Sequence, residues 1–125
     1  MNSILGVWFF VGLLYQGAPM APPNPDLKIT FSFESSDRNE LFYHRLGERG
    51  FCRRWAKYEI QDGLLKQTIT EVDAENNSSC GQDTDMQLGR SSATPFEIHG
   101  DRLHLRLPLG EDELIYVFER QTESP

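Results

Sequence analysis

Leu27-Lys28-Ile29-Thr30-Phe31-Ser32-Phe33-Glu34 alternates apolar and polar residues without a break. Successive side chains of a β-strand point to opposite faces. The stretch therefore reads as a half-buried strand, with Leu27, Ile29, Phe31 and Phe33 on the covered face. Residues 35–39 supply turn chemistry, so residues 40–45 are expected to return as the hairpin partner. The same period recurs on both sides. In residues 51–60, Cys52, Ala56, Tyr58 and Ile60 share one face, and Arg54 falls on their phase. Asp62-Gly63 is the strongest hairpin signal in the chain and predicts that residues 64–72 fold back on them. Leu103, Leu105, Leu107 and Leu109 alternate with His104, Arg106 and Pro108, and residues 113–120 close the series. Residues 5–16 form a long apolar first strand; residues 86–90 and 95–98 read as short ones.

No run of ten or more residues carries a 3.6-residue apolar period with caps at both ends, so no helix is expected. Many short strands separated by turns predict an all-β fold, a closed barrel or a sandwich of about eight strands. The length predicts one domain, residues 1–125, with one core. Residues 18–25 hold four of the seven prolines and read as a Pro-rich loop that stays out of any ladder. Residues 73–85 read as an acidic loop and residues 121–125 as a frayed tail.

Gly6-Val7-Trp8 lies on the first strand and Arg120 ends the last one. This pairing resembles that of the calycins, the superfamily of small closed β-barrels that includes the lipocalins. The resemblance implies a single compact antiparallel up-and-down barrel whose first strand pairs with its last. It also implies that Arg120 lies across the Trp8 indole as a cation–π plug at the closed end. The chain would be a reduced member, without a Thr-Asp-Tyr-type motif between its middle strands and without a C-terminal helix. An eight-stranded barrel is filled by side chains or holds one small ligand. A cavity above about 300 Å³ would be of ligand-binding size.

Twelve Lys and Arg against nineteen Asp and Glu give a formal charge of −7 and a pI near 4.9. Nucleic acid and anionic membranes both select for a basic face, so neither is an expected partner. The apolar run at 4–15 is too short to span a bilayer as a helix. It also lacks a basic residue before it, and Pro19 disrupts the cleavage pattern ahead of Ala21, so it reads as barrel strand rather than as a leader. A leader, if the gene has one, is expected to lie outside this sequence. Cys52 and Cys80 form no Cys-x-x-Cys pair, which argues against structural zinc and thioredoxin-type chemistry. They read as one disulfide worth about 3–4 kcal/mol, or as two buried thiols in a reducing compartment. The disulfide reading goes with an extracytoplasmic location, periplasmic or secreted.

Motifs for catalysis are sparse. His44, His99 and His104 have no Gly-x-Ser-x-Gly elbow to serve. Asp73-Ala74-Glu75-Asn76-Asn77 starts like a calcium loop, but Ser78 stands where glycine is required and Thr84 where glutamate is required. No metal and no cofactor is expected, and the protein reads as a non-enzyme. Asn76-Asn77-Ser78 and Asn77-Ser78-Ser79 are overlapping glycosylation sequons, meaningful only in a eukaryotic secretory setting.

Phe51, Arg53, Arg54 and Trp55 form a basic–aromatic cluster. An inward Arg54 beside Tyr58 resembles the way fatty-acid-binding calycins hold a carboxylate. Alternatively, Arg53 faces water and Arg54 pairs with Glu71 or Glu59. The candidate ligand-binding set is Arg54, Tyr58, Phe31, Phe33, Tyr116 and Phe118, of which the five aromatics are first of all core. Small residues facing inward, which would leave a cavity, are few beyond Ala56 and Gly12.

Two function classes follow. One is a lipocalin-like carrier of a small apolar or amphipathic ligand. The other is a filled-core barrel that binds or inhibits a basic protein through its loops. The periplasmic lysozyme inhibitors, small acidic disulfide-linked barrels, are the analogy for the second.

Overall fold

A computed structural model of the chain describes residues 3–21, 26–35, 37–109 and 111–121. Nine strands form one antiparallel sheet: β1 (Gly6–Tyr15), β2 (Ala18–Met20), β3 (Leu27–Ser35), β4 (Arg38–Arg45), β5 (Cys52–Gln61), β6 (Leu64–Val72), β7 (Ser91–His99), β8 (Arg102–Leu109) and β9 (Asp112–Arg120). Neighbours in sequence pair in order from β3 to β9, and β1 pairs with both β3 and β9. The sheet thus closes on itself as an eight-stranded up-and-down barrel, with β2 as a ninth strand outside the circuit.

The first strand can serve two neighbours because it is long and bent. Its lower half pairs with β3 (Trp8 opposite Phe31) and its upper half with β2. Along the other edge it pairs with β9, with a register irregularity between Phe10 and Gly12. Asp62 and Gly63 both have positive φ, 54° and 76°, as a two-residue hairpin requires.

Three expectations need correction. Ala18–Met20 is a strand, not loop, and pairs Pro19 with Leu14. Proline is tolerated there because β2 has only one neighbour. Residues 22–25 of the Pro-rich stretch lie outside the described residues, as do residues 122–125 of the expected tail. Residues 86–90 are not a strand: Thr84–Met86 is a 3-10 turn, and β7 runs the full length Ser91–His99 rather than 95–98. Pro95 is not the start of β7: it sits within the strand, at the end of the β6–β7 ladder opposite Leu64. Two 3-10 turns, Ser78–Gln82 and Thr84–Met86, give the acidic segment an ordered path.

At one end of the barrel the turns are short and the core is filled. Trp8 is fully buried, and its indole N–H donates to the Ile4 carbonyl at 2.9 Å. The Arg120 guanidinium lies over the ring, 4.2 Å from its centroid, and donates to the carbonyls of Leu5 and Ser3. Gly6 is required on two counts: its φ is +124°, and a Cβ there would sit 3.0 Å from Arg120 Nη1. Phe33, Tyr58, Leu103 and Phe118 pack in the same buried cluster.

The opposite end is partly covered by residues 73–90. That segment is anchored by the Cys52–Cys80 disulfide, with Cα atoms 5.7 Å apart, and by the buried Met86 side chain. Backbone bonds from Asp73 to Arg53 and from Asn77 to Phe51 tie its first part to β5.

Candidate functional site

Beneath the segment 73–90 the barrel is not filled. A cavity of about 350 Å³ opens at that end, walled by aliphatic and aromatic side chains of β3, β4, β6, β8 and β9. Four of the six residues singled out from the sequence line it: Phe31, Arg54, Tyr116 and Phe118. Phe33 and Tyr58 do not. They lie below it, their rings edge to face at 5.0 Å, in the packed half of the barrel. Phe33 stacks on Phe31 at 4.6 Å and so supports the cavity floor from beneath.

Arg54 is the unusual member. It sits on β5 between Cys52 and Ala56, on the inward phase, and is 2 % exposed. Neither expected carboxylate meets it. Glu71 lies nearest the Arg38 guanidinium, at 4.0 Å, and Glu59 pairs in register with Lys66. Instead its partners are neutral: Nη1 donates to Asn39 Oδ1 at 2.5 Å, Nη2 to Gln67 Oε1 at 3.3 Å, and Nε to the Asp85 carbonyl at 3.3 Å. Its guanidinium also lies over the Phe31 ring, 5.4 Å from the centroid. Burial pushes its pKa down to about 10, with the Asp85 charge opposing that shift. It remains charged at neutral pH, a cation desolvated by the barrel.

The 3-10 turn at 84–86 brings Asp83 and Asp85 to the cavity wall. Asp83 caps the turn, its side chain accepting from the Asp85 amide at 2.9 Å, and the Tyr43 hydroxyl donates to its other oxygen. Desolvation and the Asp83 carboxylate, with the Tyr43 ring partly buried, raise the Tyr43 pKa well above the phenol range. Asp85 is exposed as a residue, yet its carboxyl lies among protein atoms. Burial first, and Asp83 second, raise its pKa.

Sequence reasoning missed Asn39, Tyr43, Gln67, Asp83 and Asp85. A signal existed for the first three. Asn39, Leu41 and Tyr43 share one phase of β4, and Gln67 lies between Leu65 and Ile69 on the apolar phase of β6. A polar residue on a covered phase marks a buried network. Asp83 and Asp85 lie on turns with no periodicity, so no pattern announces them.

Other sequence candidates lie elsewhere. Arg53 faces outward but is not simply solvated. It is ion-paired to Asp73 at 2.9 Å and within 5.0–5.7 Å of the Phe42, Phe51 and Trp55 rings. The His99 and His104 rings meet on the outer surface, tilted by 58° with centroids 5.1 Å apart. The Asn76 amide bonds the Arg53 backbone in both directions, whereas Asn77 is exposed and caps the Ser78–Gln82 turn. A larger depression of about 560 Å³ lies along β5–β7, but it is shallow, open and lined by Lys57, Glu59 and Lys66. No helix among the described residues is long and apolar enough to cross a membrane.

Comparison with protein families, curated proteins and solved structures finds no match to this chain.

Proposed function

We propose that the chain is a non-enzymatic binding protein, a calycin-type barrel that carries one small apolar or amphipathic ligand in its open-end cavity. The observation that carries this reading is the 350 Å³ space floored by a buried guanidinium whose hydrogen-bond partners are all neutral groups. A cation removed from water costs stability; the nearby Asp85 charge offsets part of that cost, and a bound anion would recover more. The surrounding apolar walls suit a hydrocarbon body and the guanidinium suits its anionic head. The Trp8–Arg120 plug supports the calycin assignment, and the Cys52–Cys80 disulfide supports work in an oxidising, extracytoplasmic compartment. A barrel that acts on a basic protein through its acidic loops is the competing reading; the unfilled interior favours the carrier.

The test is mass spectrometry of the purified protein, intact under native conditions and then denatured in organic solvent. The carrier reading expects a mass increment on the native ion and a lipid-like molecule released on denaturation. A protein that is empty and gains no mass on incubation with decanoate or 1-decanol would contradict it.

A further inference from the structure

The chemistry of the cavity floor follows from hydrogen-bond polarity. Arginine offers five N–H donors and no acceptor. An amide that meets it must therefore turn its oxygen toward it. Asn39, fully buried on β4, does so, which leaves its Nδ2 facing Gln67; that nitrogen donates to Gln67 Oε1 at 2.9 Å. Gln67 Oε1 also accepts from Arg54 Nη2. Each amide is thus locked in one orientation by the guanidinium, and the guanidinium is locked by both amides.

The count of donors then decides what fits. Three of the five Arg54 N–H groups are engaged, on Asn39, Gln67 and the Asp85 carbonyl. Two find no acceptor among the described residues, one on each terminal nitrogen. Gln67 Oε1 is doubly used, so the group Gln67 has left to offer the cavity is its NH₂. The floor presents donors. Beside it, Asp83, Asp85 and Arg45 also line the wall.

We propose that Asn39 and Gln67 are the specificity-determining residues of this cavity, holding Arg54 so that the floor takes a carboxylate head and discriminates against a hydroxyl. The inference rests on the carrier reading and goes beyond it, because it assigns the selectivity to two amides that need not carry any charge. Their role is positioning: they act through Arg54.

The test compares decanoate with 1-decanol, which share a chain length and differ in the head, by calorimetric titration at pH 7. The wild-type protein is expected to prefer decanoate by about 10- to 100-fold, the range for hydrogen bonds to a charged group. Gln67→Glu keeps the shape but gives Arg54 a carboxylate of its own. It is expected to abolish that preference, the loss of decanoate affinity exceeding any change in 1-decanol affinity by about 10-fold or more. Asn39→Asp neutralises the same guanidinium from the other side and serves if Gln67→Glu does not fold. A preference that survives in the variants, or wild-type binding of 1-decanol as tight as that of decanoate, would overturn the inference and leave the carrier reading standing. Binding of neither probe by the wild-type protein would overturn both.

Discussion

The two ends of this barrel are made of the same strands and solve opposite problems. At the closed end, β1 and β9 bring Trp8 and Arg120 together, and Trp8 packs in one buried cluster with Phe33, Tyr58, Leu103 and Phe118. At the open end the barrel encloses space, and the buried cation hydrogen-bonds to neutral groups. Both ends contain an arginine. Arg120 lies on an indole with two backbone carbonyls to receive its protons, and it holds the fold shut. Arg54 is held by two amides and keeps donors in reserve. Within one small domain, the closed end is packed and the open end leaves a cavity unfilled.

The largest break in this contrast should come from Trp8→Ala. It removes a fully buried indole and leaves Arg120 without its platform, so a loss of about 3–5 kcal/mol is expected. Thermal unfolding followed by circular dichroism would show a fall in Tm of more than about 10 °C. A variant that melts like the wild type would remove the closed end from its stabilising role.

Next in size is the double variant Cys52→Ala/Cys80→Ala. The 28-residue separation predicts a loss of about 3–4 kcal/mol in urea titrations. The loss should be uneven: amide exchange should rise most in residues 73–90 and least around Trp8. Uniform acceleration would mean that the disulfide does not serve the open end in particular.

Arg54→Met should change stability by less than about 2 kcal/mol. Removing a desolvated charge is favourable, while leaving Asn39 Oδ1 without its donor is not. Binding of decanoate should be lost in the same variant. A drop in Tm as large as that of Trp8→Ala would make Arg54 a structural residue like Arg120.

The smallest effect is expected for Asp85→Asn. Burial raises the Asp85 pKa in the folded chain, so its protonated form is favoured there. That contribution is fully present below the unfolded value of 3.8 and is lost as pH rises through the raised folded value. Asp85→Asn should therefore be slightly more stable than wild type at pH 7 and indistinguishable near pH 3. Because the residue is exposed, the gain should be small. The opposite slope would mean that Asp85 is stabilised as the anion.

Much of the fold was legible because it rests on period-two patterning. The alternation at Leu27–Glu34 and Leu103–Leu109, the Asp62-Gly63 turn and the Trp8/Arg120 pair each reflect local geometry or one long-range contact. What the pattern hid was the segment between β6 and β7. There a disulfide and two 3-10 turns set the path, and neither has a hydrophobic period. The site was half legible for the same reason. Arg54, Phe31, Tyr116 and Phe118 stand on strand phases that can be read. Asp83 and Asp85 stand on turns that cannot. Phe33 and Tyr58 share those readable phases, but phase says which face a residue occupies and not how far along the barrel it lies. The space itself also depends on Ser92 and Thr94 of β7, small residues at its edge. They fell outside any strand when Pro95 was read as a start.

The most direct test of the open end as a ligand site is thermal unfolding with and without decanoate, for the wild-type protein and for Leu105→Trp. Leu105 lines the cavity, and an indole there would occupy the space. At a hundredfold excess over Kd, binding should stabilise the wild-type protein by about 2.7 kcal/mol and raise its Tm, and Leu105→Trp should melt at the same temperature with or without decanoate. A wild-type Tm that does not move, or one that moves equally in both proteins, would contradict the assignment of the cavity as the binding site.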